Sequence, residues 1–316
     1  MLERFSRRSF VTGATIAGVG ILSGSAYEKN SEWKDGEQLL NEETFRYNVM
    51  NDMRSYRKID SYANALSSSI QADVQIQNAD RMQIEKLIVA VPIAKTMGSS
   101  AEDIRAYNDI VIKAIMAYPT RILGQFTVNP IDIKTASSEI KRCVDLGMVG
   151  MKLFNHVKVN HPSVFSVIEK FIDNRMIIHV HGESQIGVGG YRMKYDVQNN
   201  PAISVPEDFV DTAKRYPEAI FQYAHIGGGS DWEYACKSFV NTPNIYVDTG
   251  GSNNEERMID FAVKHLGEDR VLFGCDSSFY QGVGKVLSSG ITEAQKRKIF
   301  FDNYNRILKK SGNSIH

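Results

Sequence analysis

The chain has 316 residues, 42% of them hydrophobic and 23% charged, which excludes a disordered chain, a collagen-like repeat and a small disulfide scaffold. Its 37 basic side chains balance 37 acidic ones, so no excess positive charge is available to hold a nucleic-acid backbone. The three cysteines, Cys143, Cys236 and Cys275, are widely spaced and give neither a zinc-finger pattern nor a disulfide framework.

The chain opens on Ser6-Arg7-Arg8-Ser9-Phe10-Val11, a twin-arginine pattern, followed by a weakly apolar run to Ser25 and the small residues Gly24-Ser25-Ala26. The run is too short and too polar to span a membrane well, so residues 1–26 read as a cleaved signal. The expectation is passage through the twin-arginine translocase to a periplasmic address. Residues 27–57 are polar and read as an N-terminal extension with one short helix at Gln38–Met53. A barrel domain is expected over 58–310, with a tail at 311–316.

From Lys58 onward, short apolar runs alternate with helical patterns. The predicted strands are Lys58–Asn64, Leu87–Val91, Ile122–Val128, Val149–Phe154, Met176–His181, Ile220–His225, Asn244–Asp248 and Arg270–Cys275. They recur about every 30 residues, the length of a βα unit, and are apolar throughout, as strands covered on both faces must be. Helical patterns lie between them at Ala101–Ala117, Ala136–Leu146, Ser163–Asn174, Pro206–Arg215 and Asn254–Leu266. Eight such units, with polar residues at the carboxyl ends of most strands and no glycine-rich phosphate turn after the first, predict an α/β fold of the (β/α)8 TIM-barrel type.

Those strand ends carry the candidate chemistry. His179 and His181 alternate onto one face of their strand, where two imidazoles could hold a divalent metal or bond to neighbouring backbone. His225 precedes three glycines and could act as a general base, polarise a carbonyl or cap a helix. Asp276, just past an apolar strand, suits metal ligation, proton transfer or turn capping. Lys152 either points inward or snorkels at its strand end. Gly182–Pro206 is long enough for a lid, and Arg192 or Lys194 within it could meet an anionic substrate or remain solvated.

These phrases form an ordered set. Tyr118-Pro119-Thr120-Arg121-Ile122-Leu123-Gly124 comes first, followed by Leu146-Gly147-Met148-Val149-Gly150-Met151-Lys152-Leu153 and Ala224-His225-Ile226-Gly227-Gly228. Asn244-Ile245-Tyr246-Val247-Asp248-Thr249, Arg270-Val271-Leu272-Phe273-Gly274-Cys275-Asp276 and Asn303-Tyr304-Asn305-Arg306-Ile307-Leu308 complete it. From about Ile59 to Leu308 the chain resembles the amidohydrolase superfamily, in the amidohydrolase-related branch that includes aminocarboxymuconate semialdehyde decarboxylase.

The resemblance implies a distorted barrel with one divalent metal, zinc or manganese, and a small-molecule substrate. The implied reaction is hydrolysis of an amide, ester or lactone by metal-activated water; decarboxylation of an unsaturated or aromatic acid is the alternative. It implies His179 as ligand, with His181 as the alternative alignment, Asp276 as ligand and proton acceptor, and His225 as catalytic. The family's first strand ends in Asp-x-His-x-His, whereas this one reads Asp60-Ser61-Tyr62-Ala63-Asn64. His181 could replace a lost ligand, or the site could be metal-free or a non-catalytic binding pocket. Tyr62, Asn64, Lys152 and Arg192 are the expected substrate contacts. The sequence leaves oligomeric state open and is compatible with a homo-oligomer.

Overall fold

The structure is a computed structural model that describes residues 48–64, 69–91, 98–153, 157–183, 202–227, 232–251, 255 and 257–316. The twin-arginine pattern and the stretch with Arg192 and Lys194 lie outside the described residues. Met50–His316 forms one compact unit.

After a short helix α1 (Val49–Arg54), strands and helices alternate. The order is β1 (Ile59–Asn64), α2 (Ser69–Arg81), β2 (Lys86–Ala90), α3 (Ala101–Ala117), β3 (Ile122–Phe126), α4 (Ile133–Asp145), β4 (Gly150–Lys152) and α5 (Pro162–Asp173). Then come β5 (Ile177–His181), α6 (Pro206–Arg215), β6 (Ile220–Ala224), α7 (Trp232–Ser238), β7 (Ile245–Asp248), α8 (Met258–Leu266) and β8 (Val271–Leu272). Helices α9 (Phe279–Ser288) and α10 (Glu293–Arg297), a π-helical segment (Lys298–Asp302) and α11 (Asn303–Lys310) finish the fold.

The eight strands pair in parallel in sequence order. The Ser61 N–H donates to Phe273 O at 2.8 Å and the Asp276 N–H to Tyr62 O at 3.0 Å, which brings β1 and the end of β8 together. The fold is therefore a (β/α)8 barrel. Its helices start where the sequence offers caps. Ser100 and Asp103 form a reciprocal capping box on α3, and Pro162 and Pro206 open α5 and α6, where a missing N–H costs nothing.

Two strands are shorter than their apolar runs suggest: β4 is Gly150–Lys152 and β8 is Val271–Leu272. At β8 the backbone leaves the ladder for other partners. The Cys275 N–H donates to Asp60 Oδ1, and Asp276 and Ser277 turn at φ 48° and 63°. Left-handed backbone is costly for residues other than glycine and concentrates at functional sites.

One core cluster lies between sheet and helices. A second fills the barrel floor with Ile59, Ile88, Val149, Ile177, Ile220, Tyr246 and Leu272, closed from below by Phe301, Tyr304, Ile307 and Leu308. Side chains on a strand return to the same face every second residue. Two residues above Ile59, Ile177, Ile220, Tyr246 and Leu272 stand Ser61, His179, Gln222, Asp248 and Gly274, with Gln125 two above Leu123, so polar side chains dominate the next layer. The floor fixes the height at which the chemistry sits.

Candidate active site at the barrel mouth

Two hydrogen-bonded chains rise from the floor. In the first, the Gln125 amide donates to Tyr304 Oη at 3.1 Å, which leaves Gln125 Oε1 to accept from His179 Nδ1 at 2.9 Å. His179 Nδ1 therefore carries the proton, and the lone pair of Nε2 accepts from Lys152 Nζ at 2.9 Å. Burial, reinforced by Lys152, His225 and His181, holds His179 well below the usual imidazole range, so it is neutral. Burial also pushes Lys152 down to about 8, with Asp248 and Asp276 pulling the other way.

In the second chain, Gln222 Nε2 donates to Ser61 Oγ at 3.3 Å and to Asp248 Oδ2 at 2.7 Å. Asp248 Oδ1 accepts from the Gly250 N–H at 2.9 Å and from His225 Nδ1 at 2.5 Å. Burial raises the Asp248 carboxyl, but His225, Gln222 and the Gly250 N–H outweigh it and hold it below the ordinary carboxylate range. The ionised carboxylate fixes His225 with its proton on Nδ1. Nε2 then faces Asp276 Oδ2 at 3.9 Å. Gly274 makes this layer possible, since a Cβ there would stand 3.0 Å from both Asp248 Oδ1 and Ser61 Oγ.

Tyr62 sits among these groups. Its ring lies edge-on to His179 with centroids 4.6 Å apart, stacks on His225 at 5.2 Å, and carries Lys152 Nζ 4.2 Å from its centre. Asn64 Nδ2 donates to Asp276 Oδ1 at 3.0 Å. His181 stands at the rim, its ring centroid 5.9 Å from that of His225 and its Nε2 3.3 Å from Glu183 Oε1. Burial depresses its pKa, opposed by Glu183. His179, His181, His225, Asp276, Tyr62, Asn64 and Lys152 thus gather at one end of the barrel.

Ligand atoms from His179, His225 and Asp248 lie within 4.8 Å of one another, and this group could hold one divalent metal. The chemistry of the set fits: two imidazoles and a carboxylate suit zinc or manganese. Gln222 Oε1 and Asn64 Oδ1 are buried without a hydrogen-bond partner, as acceptors awaiting a cation or donor would be. The converging carboxylate is Asp248, whereas Asp276 stands further out, a third of its side chain exposed. Sequence reasoning did not single out Asp248, Gln125 or Gln222. Asp248 carries the same signal that drew attention to Asp276, a carboxylate ending an apolar strand.

The family model described as Amidohydrolase matches residues 92–309, more than half of the chain. The chain belongs to the amidohydrolase family. Among solved structures, this member of the family is similar to 2,6-dihydroxybenzoate decarboxylase from Rhizobium, at 18% identity and a TM-score of 0.63, over 81% of this chain and 100% of that one. It is also similar to 5-carboxyvanillate decarboxylase from Sphingomonas paucimobilis, at 15% identity and a TM-score of 0.61, over 80% and 99% of the two chains. A third similar structure is dihydroxybenzoic acid decarboxylase from Polaromonas with bound manganese and 2-nitroresorcinol. There the identity is 17% and the TM-score 0.62, over 80% and 97%. At these identities the likeness is one of fold. No curated protein matches the sequence significantly.

Proposed function

We propose that this barrel mouth is the active site of a non-oxidative carboxy-lyase acting on a small aromatic or unsaturated carboxylic acid. The observation that carries the reading is a buried cation, Lys152, beside a buried proton-handling pair, His225 and Asp248, with Asp276 facing that pair from the rim. Decarboxylation needs those two elements. A cation holds the carboxylate, and a positioned acid replaces it on carbon. The electrons of the carbon–carbon bond stay on the substrate carbon, carbon dioxide leaves, and a proton that His225 Nε2 or Asp276 has first taken up from solvent takes its place. Tyr62 and Asn64 line the approach. A divalent ion held by His179, His225 and Asp248 would replace the His225–Asp248 hydrogen bond, supply Lewis-acid polarisation of a substrate oxygen and leave Asp276 as the proton donor. The decarboxylases among the similar structures support this choice of reaction.

The test offers 2,6-dihydroxybenzoate and related aromatic acids and follows labelled carbon dioxide. Release that falls at least about 100-fold in His225→Ala is expected. Intact acids alongside hydrolysis of an ester or lactone would select a second reading, metal-assisted hydrolysis, which the converging His179–His225–Asp248 group favours. Saturable binding with no turnover of either class would leave a binding protein.

The proposed address is the periplasm, on the strength of Arg7-Arg8 and the run that follows. Replacing both arginines with lysine should retain the protein in the cytoplasm, as read by fractionation.

A further inference from the structure

His179 has a single lone pair to offer, because Nδ1 is committed to Gln125 Oε1 and Gln125 is itself oriented by Tyr304. That lone pair, on Nε2, is engaged by Lys152 Nζ at 2.9 Å. The ammonium is held there from a second side. Tyr62, which stands where the family's first strand would carry a histidine, presents its ring face to Lys152 Nζ at 4.2 Å. Lys152 is 4% exposed and cannot relax into solvent without moving.

A divalent ion ligated by His179 would need the same Nε2 lone pair at about 2.0–2.2 Å. It would then sit against the ammonium, two like charges in a buried site. We propose that Lys152 is the resident cation of this site and competes with a divalent ion for Nε2 of His179, so that the ion enters only when the ammonium is displaced. Tyr62 and Lys152 act as a pair: the change that removes a metal-binding imidazole supplies the aromatic face that holds the replacing charge. The inference is independent of which reaction the site performs.

The test is ion binding, not turnover. Full-length protein, freed of metal by chelator dialysis, is titrated with manganese by calorimetry and with cobalt by visible absorption, at one fixed pH. Lys152→Met should bind manganese at least about tenfold more tightly than wild type, the scale of one charged hydrogen bond removed. Lys152→Arg, which keeps a cation, should stay near wild type. Tyr62→Ala keeps the lysine but removes its aromatic support, so it should shift affinity in the same direction as Lys152→Met, and it decides the matter if that variant does not fold. His179→Ala in the Lys152→Met background should abolish the gain. Equal affinity in wild type, Lys152→Met and Tyr62→Ala would overturn the proposal. So would a Lys152→Met protein that binds no ion, or one whose ion survives His179→Ala.

Discussion

Asp248 and His225 meet at 2.5 Å between Oδ1 and Nδ1, and the same carboxylate is held on its other oxygen by Gln222 at 2.7 Å. A carboxylate in the barrel interior thereby sets both the tautomer and the direction of an imidazole that looks outward to Asp276. Asp248 is a positioning residue for His225 in the carboxy-lyase reading.

Asp248→Ala should destabilise the fold, because His225 Nδ1–H and Gln222 Nε2 would both be left in the interior without this acceptor. Each orphaned group costs about 1–3 kcal/mol, so a loss of at least about 2 kcal/mol is expected in urea unfolding. Asp248→Asn should be milder in stability yet lower turnover by about 100-fold or more, since an amide no longer favours the Nδ1 proton. An Asp248→Asn protein with wild-type turnover would show that His225 needs no such partner.

Asp60 should make stability fall as pH rises through the neutral range. Burial pushes its carboxyl up to about 8, against the Cys275 and Tyr62 N–H groups that donate to it, and the nearby Asp248 adds to the rise. A folded-state pKa above the unfolded value means the contribution is fully present below about pH 4 and is lost as pH climbs toward 8. Asp60→Asn keeps an acceptor for both N–H groups and has no proton to lose. Urea midpoints measured at pH 5 and pH 8 should therefore fall less in the variant than in wild type. Parallel declines would refute this.

Tyr304→Phe removes the hydroxyl that orients Gln125. The expected stability cost is about 1 kcal/mol. The diagnostic readout is the ring nitrogens of His179 in nitrogen-15 NMR, where the uniform Nδ1–H tautomer should give way to a mixture once the Gln125 amide can turn.

Gly274→Ala adds one methyl group 3.0 Å from Asp248 Oδ1 and Ser61 Oγ. It should cost about 1–3 kcal/mol by overpacking and should weaken manganese binding, although no ligand is removed. Thermal melts and calorimetry test the two effects separately.

Manganese at about 100 times its dissociation constant should stabilise the folded chain by about 2.7 kcal/mol, and chelator should reverse it. His179→Ala should abolish this shift. A stabilisation that persists in His179→Ala would locate the ion elsewhere.

The barrel was legible because repetition is a property of sequence. Eight apolar runs at even spacing leave little choice of architecture, and the caps at Ser100, Pro162 and Pro206 mark helix starts locally. The strand ends were less legible. The run Arg270–Cys275 is apolar to its end, yet its pairing stops at Leu272 because the Cys275 N–H goes to Asp60, a residue 215 positions earlier.

The sequence by itself determined the alternation of strand and helix, the family, and the absence of first-strand histidines, since each is written in local order or residue identity. Which groups act on one another was decided only by closure of the barrel. Lys152 could be inward or snorkelling until β4 set it beside β5 and brought Nζ to His179. Asp248 looked like one more residue in an apolar strand until β7 brought it under His225. Hydrogen bonds and charges at these distances join residues 23 to 54 positions apart, and periodicity carries no information about such pairs.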